Sequence, residues 1–90
     1  MHPLRCVEVR RMSHIILYSK SNCLNCTAAK LLLDANKLDF QERSIDEPEW
    51  RDVFMRNYPE HRQMPQIFYK GERIGGLAGL REWLKWKAEQ

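Results

Sequence analysis

The chain is poor in cysteine, with three in 90 residues. That is too few for the disulfide framework of a small secreted domain, and pairing two leaves one over, so a reducing, cytosolic setting is expected. Long apolar runs are missing as well. None approaches the ~20 residues of a membrane-spanning helix, and charged residues interrupt Met1 to Ser13 before any apolar stretch of signal-peptide length can form, so no membrane role is expected. A block of one charge is also lacking. The 15 basic and 12 acidic side chains are scattered and give a formal charge of +3, and the densest basic spots, Arg10-Arg11 and Lys85-Trp86-Lys87, read as solvated ends. A phosphate-binding surface needs clustered Lys and Arg, so no nucleic-acid partner is expected. Internal repeats, linkers and low-complexity segments are absent from the sequence.

What is present fits one small globular domain. Apolar residues make up 43% of the chain and aromatics 10%, enough for a modest core. Residues 1–13 read as an N-terminal extension whose Cys6 is a spare thiol, residues 14–90 as the domain, and a monomer is expected. His14 to Tyr18 is a nearly continuous apolar run suited to a central strand buried on both faces. A helix is predicted from Leu24 to Ala35, where Ala28, Ala29, Leu31, Leu32 and Leu33 give a wide apolar face, Lys30 and Asp34 are left for solvent, and Asn36 is the stop. Leu38, Phe40 and Ile45 mark a second strand, completing a parallel crossover unit.

Asp46 and Glu49 have the spacing of a capping box, and Trp50, Val53, Phe54 and Tyr58 the spacing of a second helix from about Glu47 to Asn57, ended by Pro59. Gln66 to Tyr69 and Arg73-Ile74 flank a turn at Lys70-Gly71-Glu72, the pattern of an antiparallel hairpin. After Gly75-Gly76, the residues Leu77, Leu80, Trp83 and Leu84 form the stripe of a last helix, and Trp50, Trp83 and Trp86 read as core or core-edge side chains. The fold class is α/β, in the order β-α-β-α-β-β-α.

The chemistry concentrates in Cys23-Leu24-Asn25-Cys26, where the first strand hands over to the first helix. At a helix N-terminus, unpaired N–H groups and the macrodipole favour a thiolate, which makes Cys23 the candidate nucleophile. Cys26 follows one turn later on the same face, within reach of a disulfide. The same spacing makes half of many zinc sites, but those need four ligands. The sequence has no second Cys-x-x-Cys, and His2, His14 and His61 lack ligand-like spacing, so no metal is expected. Lys20, three residues before Cys23, reads either as a solvated side chain or as a cation that stabilises the thiolate and meets a carboxylate.

Together with Met64-Pro65-Gln66-Ile67 and Gly75-Gly76, this centre resembles the glutaredoxin family of the thioredoxin superfamily, over roughly His14 to Leu84. The resemblance implies a thioredoxin-like fold, a four-stranded mixed sheet flanked by three helices, and a cis bond before Pro65. It further implies a thiol–disulfide oxidoreductase with Cys23 and Cys26 as the catalytic pair and glutathione as co-substrate. Glutathione would bind the Met64 backbone, the start of the last helix after Gly76 (Leu77, Ala78 and Gly79) and the side chains of Lys20 with Arg62 or Gln63. Disulfide-containing or glutathionylated proteins would be the partners, ribonucleotide reductase among the candidates.

Two departures accompany the resemblance. Many dithiol members carry Cys-Pro-Tyr-Cys, whereas Leu24 and Asn25 fill the middle here, and Leu77-Ala78-Gly79 lacks the acidic residue that commonly holds the glutamyl amine. The first opens a reading as a glutathione-assisted iron–sulfur protein, because the missing proline tends to disfavour cluster binding. The Cys-Leu-Asn-Cys centre with Arg62-Gln63-Met64-Pro65 is also similar to glutaredoxin-like donors of ribonucleotide reductase that thioredoxin reductase recharges. Gly75-Gly76 and Lys20 speak for a glutathione user.

Overall fold

A computed structural model describes residues 14–88; the extension 1–13 and its Cys6 lie outside the described residues. Four strands, β1 (Ile15–Ser19), β2 (Gln41–Ser44), β3 (Gln66–Tyr69) and β4 (Glu72–Gly75), form one sheet in the order β2-β1-β3-β4. The helices are α1 (Leu24–Ala35), α2 (Pro48–Asn57) and α3 (Leu77–Ala88). This is the thioredoxin-like α/β arrangement. No described helix is long and apolar enough to cross a membrane.

As its apolar run requires, β1 is central, parallel to β2 and antiparallel to β3. Alternation along β1 divides the core in two. Ile15 and Leu17, with Ile67 of β3, pack against Ala29 and Leu33 of α1 and Leu80 of α3. Burying each of the larger aliphatic side chains contributes about 1.5–3 kcal/mol. Tyr18 and Phe68 instead join Phe54 of α2 in a second cluster with Cys26 and Met64. That cluster is aromatic: the Tyr18 and Phe54 rings lie 4.8 Å apart, and Tyr58 lies 4.8 Å from Phe68 and 5.4 Å from Phe54.

The second strand begins later than the sequence pattern predicts. Leu38 and Phe40 precede it and pack onto the aliphatic cluster, whereas the paired residues are the polar Gln41, Glu42, Arg43 and Ser44. An edge strand needs only one ladder of hydrogen bonds and tolerates polar side chains, which hides it from an apolar search. The apolar face of α1 is also narrower than expected, since Leu31 is exposed and Cys26, Ala29 and Leu33 are the buried set. Asn36 does cap α1, donating through Nδ2 to the Leu32 carbonyl, with Lys37 taking the left-handed conformation just beyond.

At α2 the capping box does not form. Glu47 is the N-cap without a side-chain bond, Pro48 occupies the first turn, and Asp46 accepts from the Ser21 backbone N–H at 3.0 Å. The hairpin turns through Lys70 and Gly71, both at positive φ, as a two-residue loop matched to strand twist requires. Ile74 is bypassed in the β3–β4 register, where Ile67 faces Gly75 and Phe68 faces Arg73. A side chain on Gly79 would collide with the Ile74 carbonyl, so its absence lets α3 lie close on β4. The Trp83 ring lies 5.0 Å from that of Tyr69, tilted by 50°, but Trp86, expected at the core edge, is exposed because it falls off the buried stripe of α3. Lys87 is not simply solvated: its Nζ sits 5.5 Å above the Trp83 ring.

Candidate functional site

Chain direction places the site. Parallel β1 and β2 both end on the side where α1 begins, and the loop Lys20–Asn22 carries the chain from the buried Ser19 to the helix start. Asn22 bends that loop with φ 54, a conformation that asparagine adopts more readily than most residues, and the Asp46 carboxylate holds the neighbouring Ser21 amide.

Cys23 is the N-cap of α1. Its Sγ accepts from the Cys26 backbone N–H at 3.2 Å, and the Thr27 N–H bonds to its carbonyl at 3.1 Å. Donors at a helix N-terminus favour negative charge on that sulfur. Cys23 is half-buried, whereas Cys26 is 2% exposed inside the aromatic cluster. The consequence is an asymmetric pair. Burial, and then the hydrogen bond with Cys23, push the Cys26 thiol up to about 11, against a smaller opposing pull from the Lys20 backbone and Lys30.

The Met64–Pro65 bond is cis, as the resemblance implied. Met64 is buried, and its carbonyl oxygen lies 3.7 Å from Cys23 Sγ, which donates to it in the thiol form. Gln66 anchors the same loop from below: its buried amide donates to the Gln63 carbonyl at 2.8 Å and accepts from Arg73 Nε at 2.8 Å.

Of the residues singled out in the sequence, Lys20, Cys23, Arg62, Gln63 and Met64 line one open groove of about 590 Å³. Leu24, Asn22 and Asn25 line it too, and Leu24 is 87% exposed directly beside the half-buried sulfur. A second hollow of about 530 Å³ also reaches Cys23 and runs past Cys26 to Lys30. Lys20 borders both hollows. The start of α3 approaches the site through Pro65, because a Cβ on Gly76 would stand 3.3 Å from the Pro65 carbonyl oxygen. Leu77 turns inward onto the aliphatic cluster, leaving Ala78 at the surface. The Leu80 N–H already bonds the Gly76 carbonyl, so the N–H groups of Leu77, Ala78 and Gly79 are the first-turn donors of this helix.

Asp46 escaped the sequence reading because its spacing to Glu49 suggested a local cap. Lys30 likewise does not merely face solvent: its Nζ pairs with Glu42 Oε2 at 2.9 Å, while Ser19 Oγ donates to the same oxygen at 2.7 Å. Lys30, and to a lesser degree Ser19, hold the Glu42 carboxyl below its usual range. Three polar residues from separate elements meet here, a grouping that no local spacing signals. Among the described residues, no group of three or more His, Cys, Asp or Glu side chains is placed to hold a metal ion.

Comparison with known proteins converges on this arrangement. A family model described as Glutaredoxin matches residues 15–74. Glutaredoxin 3 of Escherichia coli (strain K12) is 34% identical over 69 residues, covering 77% of this chain and 83% of its own. A probable glutaredoxin of Synechocystis sp. is 36% identical over 63 residues, covering 69% and 72%. Among solved structures, glutaredoxin 1 from Francisella tularensis, complexed with cacodylate, superposes with a TM-score of 0.69 at 26% identity over 84% of this chain and 96% of its own. A buckwheat glutaredoxin–glutathione complex shares the fold with a TM-score of 0.69 at 20% identity, covering 92% and 78%. With the matched region running from β1 into β4 and taking in both the cysteine pair and the cis-proline loop, the chain belongs to the glutaredoxin family of thiol–disulfide oxidoreductases.

Proposed function

We propose that the chain is a glutathione-dependent dithiol oxidoreductase that reduces protein disulfides and glutathione mixed disulfides in a reducing, cytosolic compartment. The observation that carries this reading is the groove that gathers Lys20, Arg62, Gln63 and Met64 around Cys23. Two cations there suit the glycyl carboxylate of glutathione. The Met64 backbone suits its cysteinyl portion, and the first-turn N–H groups of α3 suit its γ-glutamyl carboxylate. Glutathione occupying the buckwheat relative, which has the same fold, supports the choice of ligand.

In the reaction, the Cys23 thiolate attacks a substrate disulfide RS–SR′, forming Cys23–S–S–R and releasing R′S⁻. For a protein substrate, the Cys26 thiolate then attacks Cys23 Sγ, forming the Cys23–Cys26 disulfide and releasing RS⁻. Two electrons pass from the protein dithiol to the substrate, and two glutathione thiols restore the dithiol while becoming glutathione disulfide. Where R is glutathione, a second glutathione thiol attacks the mixed disulfide directly and Cys26 is bypassed. Because Cys26 keeps its proton well above neutral pH, the first attack falls to Cys23.

The test is reduction of the Cys23–Cys26 disulfide form by glutathione with glutathione reductase, compared with thioredoxin reductase, each supplied with NADPH. Fast recharging by glutathione supports the proposal. Recharging by thioredoxin reductase alone would reassign the chain as a donor of the ribonucleotide-reductase type. With glutathionylated and disulfide-bonded protein substrates in place of the oxidised protein, Cys23→Ser abolishes both routes, whereas Cys26→Ser retains deglutathionylation and loses protein-disulfide reduction.

A further inference from the structure

The groove beside Cys23 does not end at Met64. A separate pocket of about 180 Å³ adjoins it there, sharing Met64 and Arg62 with the groove. Ile45, Phe54, Met55 and Met64 make its apolar walls. Arg51, His61 and Arg62 complete it, and no carboxylate lines either the pocket or the adjoining groove. His61 is paired with Glu60 at 3.6 Å, but among the described residues Arg51 and Arg62 have no ion-pair partner. Met55 is 41% exposed at this position, although it belongs to a helix whose buried residue is Phe54. The volume is below the roughly 300 Å³ of a small-molecule site and suits one large apolar side chain. A tripeptide confined to the groove would leave it empty.

We propose that this pocket is a docking subsite for the polypeptide substrate, which binds as an extended segment whose apolar side chain fills the pocket while a neighbouring carboxylate meets Arg51 and Arg62. The inference rests on the oxidoreductase reading above and adds the class of substrate: proteins with an apolar–acidic pair close in sequence to the target cysteine. Apolar walls supply affinity, and the uncompensated cations select the neighbour and speed encounter. Small disulfides reach Cys23 without touching the pocket.

Single-turnover reduction by pre-reduced protein tests this without involving glutathione. The probes are synthetic peptides whose one cysteine carries a mixed disulfide with 2-mercaptoethanol and whose Phe-Asp pair is moved to successive positions on either side. At one spacing, Phe-Asp is expected to react about tenfold faster than Ala-Asp or Phe-Lys. Met55→Asp is expected to remove that advantage and Arg51→Glu to level Phe-Asp with Phe-Lys, with the rate on bis(2-hydroxyethyl) disulfide unchanged in both. Equal rates at every spacing would overturn the proposal, as would variants that slow the small disulfide as much as the peptide. Failure of the glutathione reading appears elsewhere, as an oxidised protein that glutathione does not recharge while the peptide preference persists.

Discussion

The two faces of the sheet solve different problems. The aliphatic face, closed by α1 and α3, holds Leu17, Ala29, Leu33, Ile67 and Leu80 at 0% exposure and contains no group that takes part in redox chemistry. The aromatic face, covered by α2, includes Cys26 and Met64 as members of its core and continues into the groove and the pocket beside it. Stability and reactivity are therefore separable on one side and shared on the other. A thiol that must stay protonated until a mixed disulfide forms is best kept dry, and a core cluster supplies that dryness.

The sharpest way to break this comparison is on the aliphatic side. Leu33→Ala is expected to lower unfolding stability by about 2–5 kcal/mol, read from urea denaturation, while the alkylation rate of Cys23 in the folded protein is unchanged. A parallel loss of reactivity would show that the faces are not independent. The next effect is on the aromatic side and depends on pH. The Cys26 thiol is raised from 9.0 to about 11 in the folded, reduced protein, so between those values the unfolded chain has lost a proton that the folded one retains. Stability of the reduced protein is expected to fall as pH rises through this window, and the fall should be absent in Cys26→Ser.

Smaller effects refine the picture. Arg43 lies 4.4 Å over the Trp50 ring and donates through Nη1 to the Tyr18 hydroxyl at 2.9 Å. Its buried Nε has no partner. Tyr18→Phe removes the acceptor from an arginine already short of one, at an expected cost of about 1 kcal/mol in denaturant unfolding without a change in Cys23 alkylation. Smallest is Glu42, partly exposed and paired with Lys30. Its carboxyl is lowered in the folded state, so the stability it adds is present above its ordinary value of 4.5 and disappears as pH falls through the folded one. Glu42→Gln is expected to flatten that part of an acid-unfolding curve.

Much of this was legible in the sequence because it rests on local rules. The cysteine pair at a strand-to-helix junction, the hairpin around Lys70-Gly71 and the helix over Leu24–Ala35 follow from period, propensity and turn chemistry, and the family resemblance added the cis bond before Pro65. What stayed hidden depends on partners distant in sequence. β2 is polar because it pairs on one side only, so its apolar neighbours Leu38 and Phe40 drew attention away from it. Asp46 has the spacing of a cap, but the Ser21 amide claims it from 25 residues away. Leu31 fits an apolar helix face in one dimension and falls outside the seam that β1 and α3 actually offer. The pocket beyond Met64 is assembled from β2's end, α2 and the proline loop, and no short window of sequence contains it.

The short polar edge at β2 has a consequence for how this chain meets other chains. An open sheet risks having its borders adopted as templates by extended segments of other chains. Here one border is four polar residues, with Glu42 tied to Lys30 and Arg43 drawn onto Trp50. The other border, β4, is equally brief and carries an irregularity at Ile74 that spoils its register. Short, charged or bulged margins make poor seeds for strand-by-strand growth. The polarity that hid β2 from a search for apolar residues also guards that border against aggregation.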